Sequence, residues 1–419
     1  MMFHLYNFLS AIAVLLYSPW ILFKKGPEDR STFIRERFGI ARYEKTDIWV
    51  HAVSVGEVIA SLPFLKALKK EFPDKKIVLS TTTYTGQEIA RKNFPEADRI
   101  MYIPVDAGLC AGKVVRALRP ELFITVETEL WPVLSRALKK SGCKIIVLNG
   151  RISEKSFKGY KKIGSFMKEM LSYIDYLYMQ SDADAERIKL LGAAEEKVGV
   201  MGNFKFDIAL DKSAPLKWLD HIDGKIFLAA STHEREDEII LDAFSLIKKK
   251  YENIRLIIAP RHPERFSSVE ELIRKSGFNY IRRSNIKDSG VRDQVLESDV
   301  ILLDTIGELS RTFSRISIAF IGGSLVPVGG HNILEPAYWS RPIIFGPYMN
   351  NFPIYKEFLE KSAAIQVSNA DNISEKVVDI LLTGEKAAGM GKSAKNIVEK
   401  NTGAVNRALE LVRSLLGTA

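Results

Sequence analysis

From Ile48 to about Met201 short apolar runs alternate with amphipathic ones. The runs IWVHA (48–52), KIVLS, RIMYIPV, LFITVE, KIIVLNG and YLYMQ have the length of strands and are apolar on both faces. Between them lie segments such as AGKVVRALR and AERIKLLG, whose apolar positions recur at helical spacing. Doubly apolar strands separated by helices predict a parallel sheet covered on both sides. Residues 208–224, with Asp, Lys, Ser and Pro, break the alternation and read as a linker. A second series follows: KIFLAAST, RLIIAPR, NYIRR, DVILLDT, IAFIGGS and PIIFG. The expected class is α/β, with two Rossmann-like domains and a cleft between them. The stretch from Ile373 onward reads as helical.

Residues 1–23, MMFHLYNFLSAIAVLLYSPWILF, contain no Lys, Arg, Asp or Glu. As a helix they would extend roughly 35 Å, enough to cross a bilayer core. They are read as an N-terminal apolar membrane helix. A helix lying in the interface and one docked on the protein itself are the alternatives. The basic residues come afterwards, at Lys24, Lys25, Arg30, Arg35, Arg37 and Arg42. The positive-inside bias then places the main body in the cytoplasm. The domains expected are the anchor at 1–23, a first Rossmann-like domain at 24–207, the linker at 208–224 and a second at 225–419.

The formal net charge of +9 favours acidic partners such as phosphates and anionic lipid. No RNA-binding aromatic signature appears, so nucleic acid is not expected. Two cysteines, Cys110 and Cys143, make no disulfide framework and suit a reduced setting. No His/Cys/carboxylate run has metal-ligand spacing, and no cofactor is expected. The pair Asp182 and Asp184 is a D-x-D, but beside Ser181 it reads as a helix N-cap with early acids.

Six motifs carry candidate chemistry. HAVSVGE, from His51 to Glu57, is a strand-to-helix turn of the kind that faces ligands in open α/β sheets. Glu57 sits in the first helical turn, where an acid also simply complements the helix dipole. VETELWP holds Glu127 and Glu129 two apart at a strand end. There they share a face, or else cap the helix beginning at Trp131. GNFKFD holds Lys205, whose bland reading is a solvated lysine. APRHPERF places Arg261 at a strand end, suited to a phosphate or to open solvent. DTIGEL and GGSLVPVGGHNILEPA are Gly-bearing strand-to-helix turns of the anion-binding type. In the latter, Glu335 is either an acceptor for ribose hydroxyls or a helix charge before Pro336. His331 is either a base or a hydrogen-bonding residue beside the loop.

Taken together and in order, these six motifs resemble the 3-deoxy-D-manno-octulosonic acid (Kdo) transferases of lipopolysaccharide synthesis. They span nearly the whole chain. The resemblance implies GT-B architecture, with terminal helices crossing back to the first domain. It implies an inverting transfer of Kdo from CMP-Kdo to the lipid A precursor lipid IVA, with the first domain taking the acceptor and the second the donor. It gives Glu57 the role of general base. Glu127 supports the transition state, and Lys205 has the same kind of role. It puts CMP contacts at Pro260 and Arg261, at Ile306, Gly307 and Glu308, and at Asn332, Ile333, Leu334 and Glu335. Metal independence and a place at the inner membrane, catalytic domains on the cytoplasmic side, complete the expectation. A nucleotide-sugar epimerase, separated by product analysis, and a non-enzymatic membrane adaptor, separated by CMP binding without sugar transfer to lipid IVA, are the competing classes.

Overall fold

The computed structural model describes residues 6, 7, 10, 12, 30–207, 216–286, 294, 295 and 297–417. The chain divides into two compact units. One comprises Met1–Ile208 with Asn401–Ala419, the other Ala209–Lys400.

The first unit is built on β1 (Ile48–His51), β2 (Ile77–Thr81), β3 (Arg99–Tyr102), β4 (Leu122–Val126), β5 (Lys144–Gly150), β6 (Tyr176–Met179) and β7 (Val198–Val200). These pair in the order β3-β2-β1-β4-β5-β6-β7, all parallel. Alternate side chains enter two separate cores. Trp49, Phe123, Ile145 and Val147 go to one, and Ile48, Val50, Ile124 and Ile146 to the other. That double burial is why the strands read as unbroken apolar runs.

The second core is completed from the far end of the chain. Helix Ala404–Leu416 lies on helix Val55–Glu71 and contributes Ala408, Leu411 and Val412. The Asp207 carboxylate accepts from the backbone N–H groups of Gly403 and Val405, both at 2.6 Å. It thereby satisfies otherwise open donors at that helix start.

The second unit is built on β8 (Lys225–Thr232), β9 (Ile254–Pro260), β10 (Tyr280–Arg282), β11 (Val300–Leu302), β12 (Ile318–Ile321), β13 (Ile343–Phe345) and β14 (Ala364–Gln366). Its order is β10-β11-β9-β8-β12-β13-β14, again all parallel. Two parallel α/β sheets of this kind are consistent with GT-B architecture. The strand order reverses between β1 and β4 in the first sheet and between β8 and β12 in the second. Crevices outside the carboxyl ends of the strands at such reversals are where open α/β sheets bind ligands.

The expected N-terminal membrane helix is corrected. Among the described residues no helix is long and apolar enough to cross a membrane. Most of 1–23 lies outside the described residues. The part that is described turns polar groups onto the first unit. Tyr6 donates its hydroxyl to Asp106 at 3.1 Å and packs on Phe166, and the Asn7 side chain accepts from the Gly108 N–H at 3.0 Å. Of the expected linker, 208–215 lies outside the described residues, and Lys217–His221 forms a 3-10 turn.

Candidate active site

Ser54-Val55-Gly56-Glu57 closes the start of helix Val55–Glu71 as a capping box. Ser54 is the N-cap, and its hydroxyl donates to Glu57 Oε1 at 3.1 Å. The Val53 N–H donates to Glu57 Oε2 at 2.6 Å. Glu57 therefore does serve the helix start, as its bland reading supposed. It is also half-buried at the end of β1, beside the order reversal of the sheet. Burial raises its pKa to about 7, against the Val53 hydrogen bond, and the charges of Glu127 and Glu129 push the same way. A carboxylate titrating near neutrality suits proton transfer.

Glu127 and Glu129 follow β4, the strand on the other side of the reversal. Burial raises the pKa of both, and Glu127 adds to the shift of Glu129. Strand alternation is not what brings the pair together. The strand ends at Val126, and Glu127 has left the extended region, with φ +60°. Neither caps the next helix. Pro132–Lys140 is instead capped by Asp106, whose carboxylate accepts from Val133 N–H at 3.2 Å and Leu134 N–H at 2.7 Å.

Lys205 is carried out to solvent on the turn Phe204–Phe206. The two flanking rings anchor it: both are buried, and Phe204 stacks on Phe64 at 5.3 Å. The Phe204 N–H donates to Asn149 Oδ1 at 3.0 Å, tying the turn to β5. Lys205 and Arg151 counter the rise in the pKa of Glu127. The structure thus brings Glu57, Glu127 and Lys205 into one electrostatic group at the first switch point. The sequence reading missed Arg151, which follows directly on the apolar run of β5. His51, 0% exposed, holds its Nδ1 3.0 Å from both oxygens of Ser80 and is kept neutral by burial, with a pKa of about 3.

In the second unit Arg261 follows β9 and is exposed. Its N–H donates to the Thr232 carbonyl at 3.0 Å, which ties the turn after β9 to the end of β8. Pro260, just before it, is buried in the strand. Glu308 is committed to Arg283, which donates at 2.8 and 2.9 Å, and to the Thr305 hydroxyl at 2.9 Å. Gly307 has φ +92°, and Ile306 is 85% exposed. Glu335 accepts from the Asn332 amide at 3.1 Å and from Ser310, and burial raises its pKa. That last bond joins the segment after β11 to the segment after β12. Ile333 and Leu334 are buried, which leaves only their main chain for a ligand. The helix-start argument for phosphate is corrected here. Leu309–Thr312 and Leu334–Tyr338 are only 4 and 5 residues long, too short for an appreciable macrodipole.

A histidine cluster occupies the second switch point. His233, just past β8, and His331 meet edge to edge with near-parallel rings, centroids 5.0 Å and Nε2 atoms 2.7 Å apart, and His262 stands edge-on to His233 at 5.4 Å. Below them Glu236, 0% exposed, accepts from the backbone N–H groups of His233 (2.9 Å), Gly323 (2.6 Å), Ser324 (3.0 Å) and Leu325 (2.8 Å). His233, His262 and Glu236 were not singled out from sequence, although KIFLAAST running straight into HERE marks His233 and Glu236, and His262 lies within APRHPERF. At the D-x-D, Ser181 is the N-cap and accepts from the Asp184 N–H. Asp184 accepts from the Ile152 N–H at 2.8 Å, so its role is local.

Residues 32–208 match the family described as 3-Deoxy-D-manno-octulosonic-acid transferase (kdotransferase). A 3-deoxy-D-manno-octulosonic acid transferase of Haemophilus influenzae is 36% identical over 376 residues, covering 88% of this chain and 87% of that protein. A bifunctional glycosyltransferase/methyltransferase of Fusobacterium nucleatum is 37% identical over 409 residues, covering 95% of this chain but 61% of that protein. The chain therefore spans less than two thirds of that relative. Among solved structures, a putative UDP-N-acetylglucosamine 2-epimerase from Listeria monocytogenes superposes with a TM-score of 0.59 at 13% identity, over 90% of this chain and 98% of that one. A glycosyltransferase from Rickettsia africae gives 0.55 at 15%, over 90% and 100%. At these identities the two structures speak for the fold alone.

Proposed function

The chain belongs to the Kdo transferase family of glycosyltransferases, and from that premise we propose that it moves Kdo from CMP-Kdo to lipid IVA with inversion and without a metal ion. The first unit receives the acceptor and the second holds the donor. The observation that carries the reading is Glu57, a carboxylate with a pKa of about 7 at the first switch point.

The acceptor is a sugar hydroxyl, a weak nucleophile until its proton leaves. Glu57 takes that proton as the oxygen attacks the anomeric carbon of Kdo. The bond to the CMP phosphate breaks, and its electrons leave with CMP. Glu127 and Lys205 support the charge that develops on the sugar. Arg261 stabilises the departing phosphate. The remaining donor contacts lie at Pro260, at Ile306, Gly307 and Glu308, and at Asn332 through Glu335. A single base with no covalent nucleophile gives inversion. The lipid acceptor and the basic balance of the chain favour work at the cytoplasmic face of the inner membrane.

The test is incubation of purified protein with CMP-Kdo and lipid IVA in EDTA. Mass spectrometry reads the product and NMR its anomeric configuration. A Kdo-bearing lipid of inverted configuration is expected. No transfer, or transfer only after magnesium is restored, would overturn the corresponding part.

A further inference from the structure

We propose that His233 and His331 act as one unit, a pair that takes up a proton when an oxyanion of the donor seats against it. The proposal rests on the reading of the second unit as the donor site, and it adds to that site two residues and a proton.

The pair lies where ligands bind, outside the carboxyl ends of β8 and β12, between which the strand order reverses. Its position is enforced. The Glu236 carboxylate spans from the His233 backbone to that of Gly323, Ser324 and Leu325, and so fixes both walls. Gly323 has φ +66°, and a Cβ there would stand 3.2 Å from His331 Nε2 and 3.4 Å from His233 Cδ2. The loop approaches the two rings closely enough that a Cβ there would crowd them.

Two Nε2 atoms 2.7 Å apart share one proton: one ring donates and the other accepts. The neutral pair therefore holds two protons, one between the rings and one on the Nδ1 of the acceptor ring. A third proton has a place, on the Nδ1 of the donor ring. It leaves the N–H···N contact intact and strengthens it, because the donor is then an imidazolium. A fourth would put hydrogen on both facing nitrogens and force the rings apart. The geometry admits a change of one charge and no more.

The surroundings decide when that charge appears. Burial above all holds both rings neutral, His331 down to about 4; Arg261 and His262 press the same way on both rings, and Arg265 on His233. The nearby carboxylates are already engaged. Glu236 is taken by backbone N–H groups, Asp237 by Thr232 and Arg265, and Glu264 lies 3.8 Å from His262. Among the described residues Arg261 makes no ion pair. Arg261 is thus left without an anionic partner beside the pair. A donor oxyanion supplies one, removes the opposition to the third proton, and is held more tightly once that proton arrives. The shared chemistry is an oxyanion, which the donor carries as a phosphodiester and as the sugar carboxylate.

The experiment is calorimetric titration of the full chain in buffers of different ionisation enthalpy, between about pH 6 and 8. Three probes are used: cytidine, cytidine 5′-methylphosphate and free Kdo. The diester keeps its charge over this range, so any proton taken up from the buffer goes onto the protein. Expected are uptake of about 0.5–1 proton per bound diester and an affinity that rises up to about tenfold for each pH unit lowered. Cytidine should bring no uptake. His331→Gln and His233→Gln should each abolish the uptake while retaining cytidine binding, which reports the fold. Uptake with free Kdo alone would support the pair and assign it to the carboxylate. Binding of both anions without uptake, or uptake surviving in both variants, would overturn the pair and leave the donor site standing. Failure of all three probes to bind would overturn the donor site and the pair with it.

Discussion

The N–H of Val53 donates to the carboxylate of Glu57 across a 2.6 Å contact. One oxygen is thereby directed by the main chain, and the Ser54 hydroxyl directs the other. Glu57→Gln keeps an acceptor for Val53 and removes the basicity. Turnover is expected to fall about 100-fold or more, as loss of a general base does, with an unchanged circular dichroism spectrum. The wild-type rate should rise with pH through about 7. Near-normal turnover in the variant would remove Glu57 from the role of base.

The same raised pKa has a consequence for stability, of opposite sign to that of a salt-bridged acid. Glu57 binds its proton more tightly in the folded chain than at its ordinary value of 4.5. Its contribution is fully present below that value and is lost as pH rises through about 7. At pH 8, Glu57→Gln should therefore be more stable than wild type by about 1–2 kcal/mol, allowing for solvent screening. Near pH 4 the gain should vanish. Thermal melts at the two pH values check this, and a variant less stable at pH 8 would contradict it.

Arg261 is exposed and makes no ion pair among the described residues. Arg261→Ala should leave the melting temperature almost unmoved. Loss of a charge-assisted contact to phosphate should weaken donor binding by about 10- to 100-fold and leave lipid binding unchanged. Equal affinity for CMP in variant and wild type would show that the donor phosphate lies elsewhere.

Glu236 is a structural keystone of the second unit, since one buried carboxylate serves four backbone amides. Glu236→Ala strands them without partners and is expected to cost roughly 3–5 kcal/mol. Glu236→Gln, which keeps an acceptor oxygen, should recover part of that. Chemical denaturation measures both. An alanine variant within about 1 kcal/mol of wild type would mean that the loop 322–325 holds itself.

Much of this was legible in the chain. Strands buried on both faces announce themselves as apolar runs, and the turns that follow them marked Glu57, Glu127 and Arg261. What escaped did so for physical reasons. The strands β7 and β14 are three residues long, and VGV, centred on a glycine, and AIQ offer less β-forming character than the Tyr-Ile pair that marked the equally short β10. The Glu127–Glu129 pair was placed by strand alternation, but Glu127 turns left-handed just where the strand stops. The apolar composition of 1–23 suggested a bilayer, while Tyr6 and Asn7 find polar partners on the first unit. The His233–His331 contact joins residues 98 positions apart, a separation that no local pattern records.

The clasp of Asp207 on Gly403 and Val405 bears on the order of synthesis. The sheet of the first unit is translated early, yet Ala408, Leu411 and Val412 emerge from the ribosome only after the whole second unit. Until they arrive, the part of helix Val55–Glu71 against which Ala404–Leu416 packs has no cover. An N-terminal fragment ending near residue 208 would keep that face exposed permanently, so expression of the first half alone should yield aggregates unless the closing helix is supplied as a separate peptide.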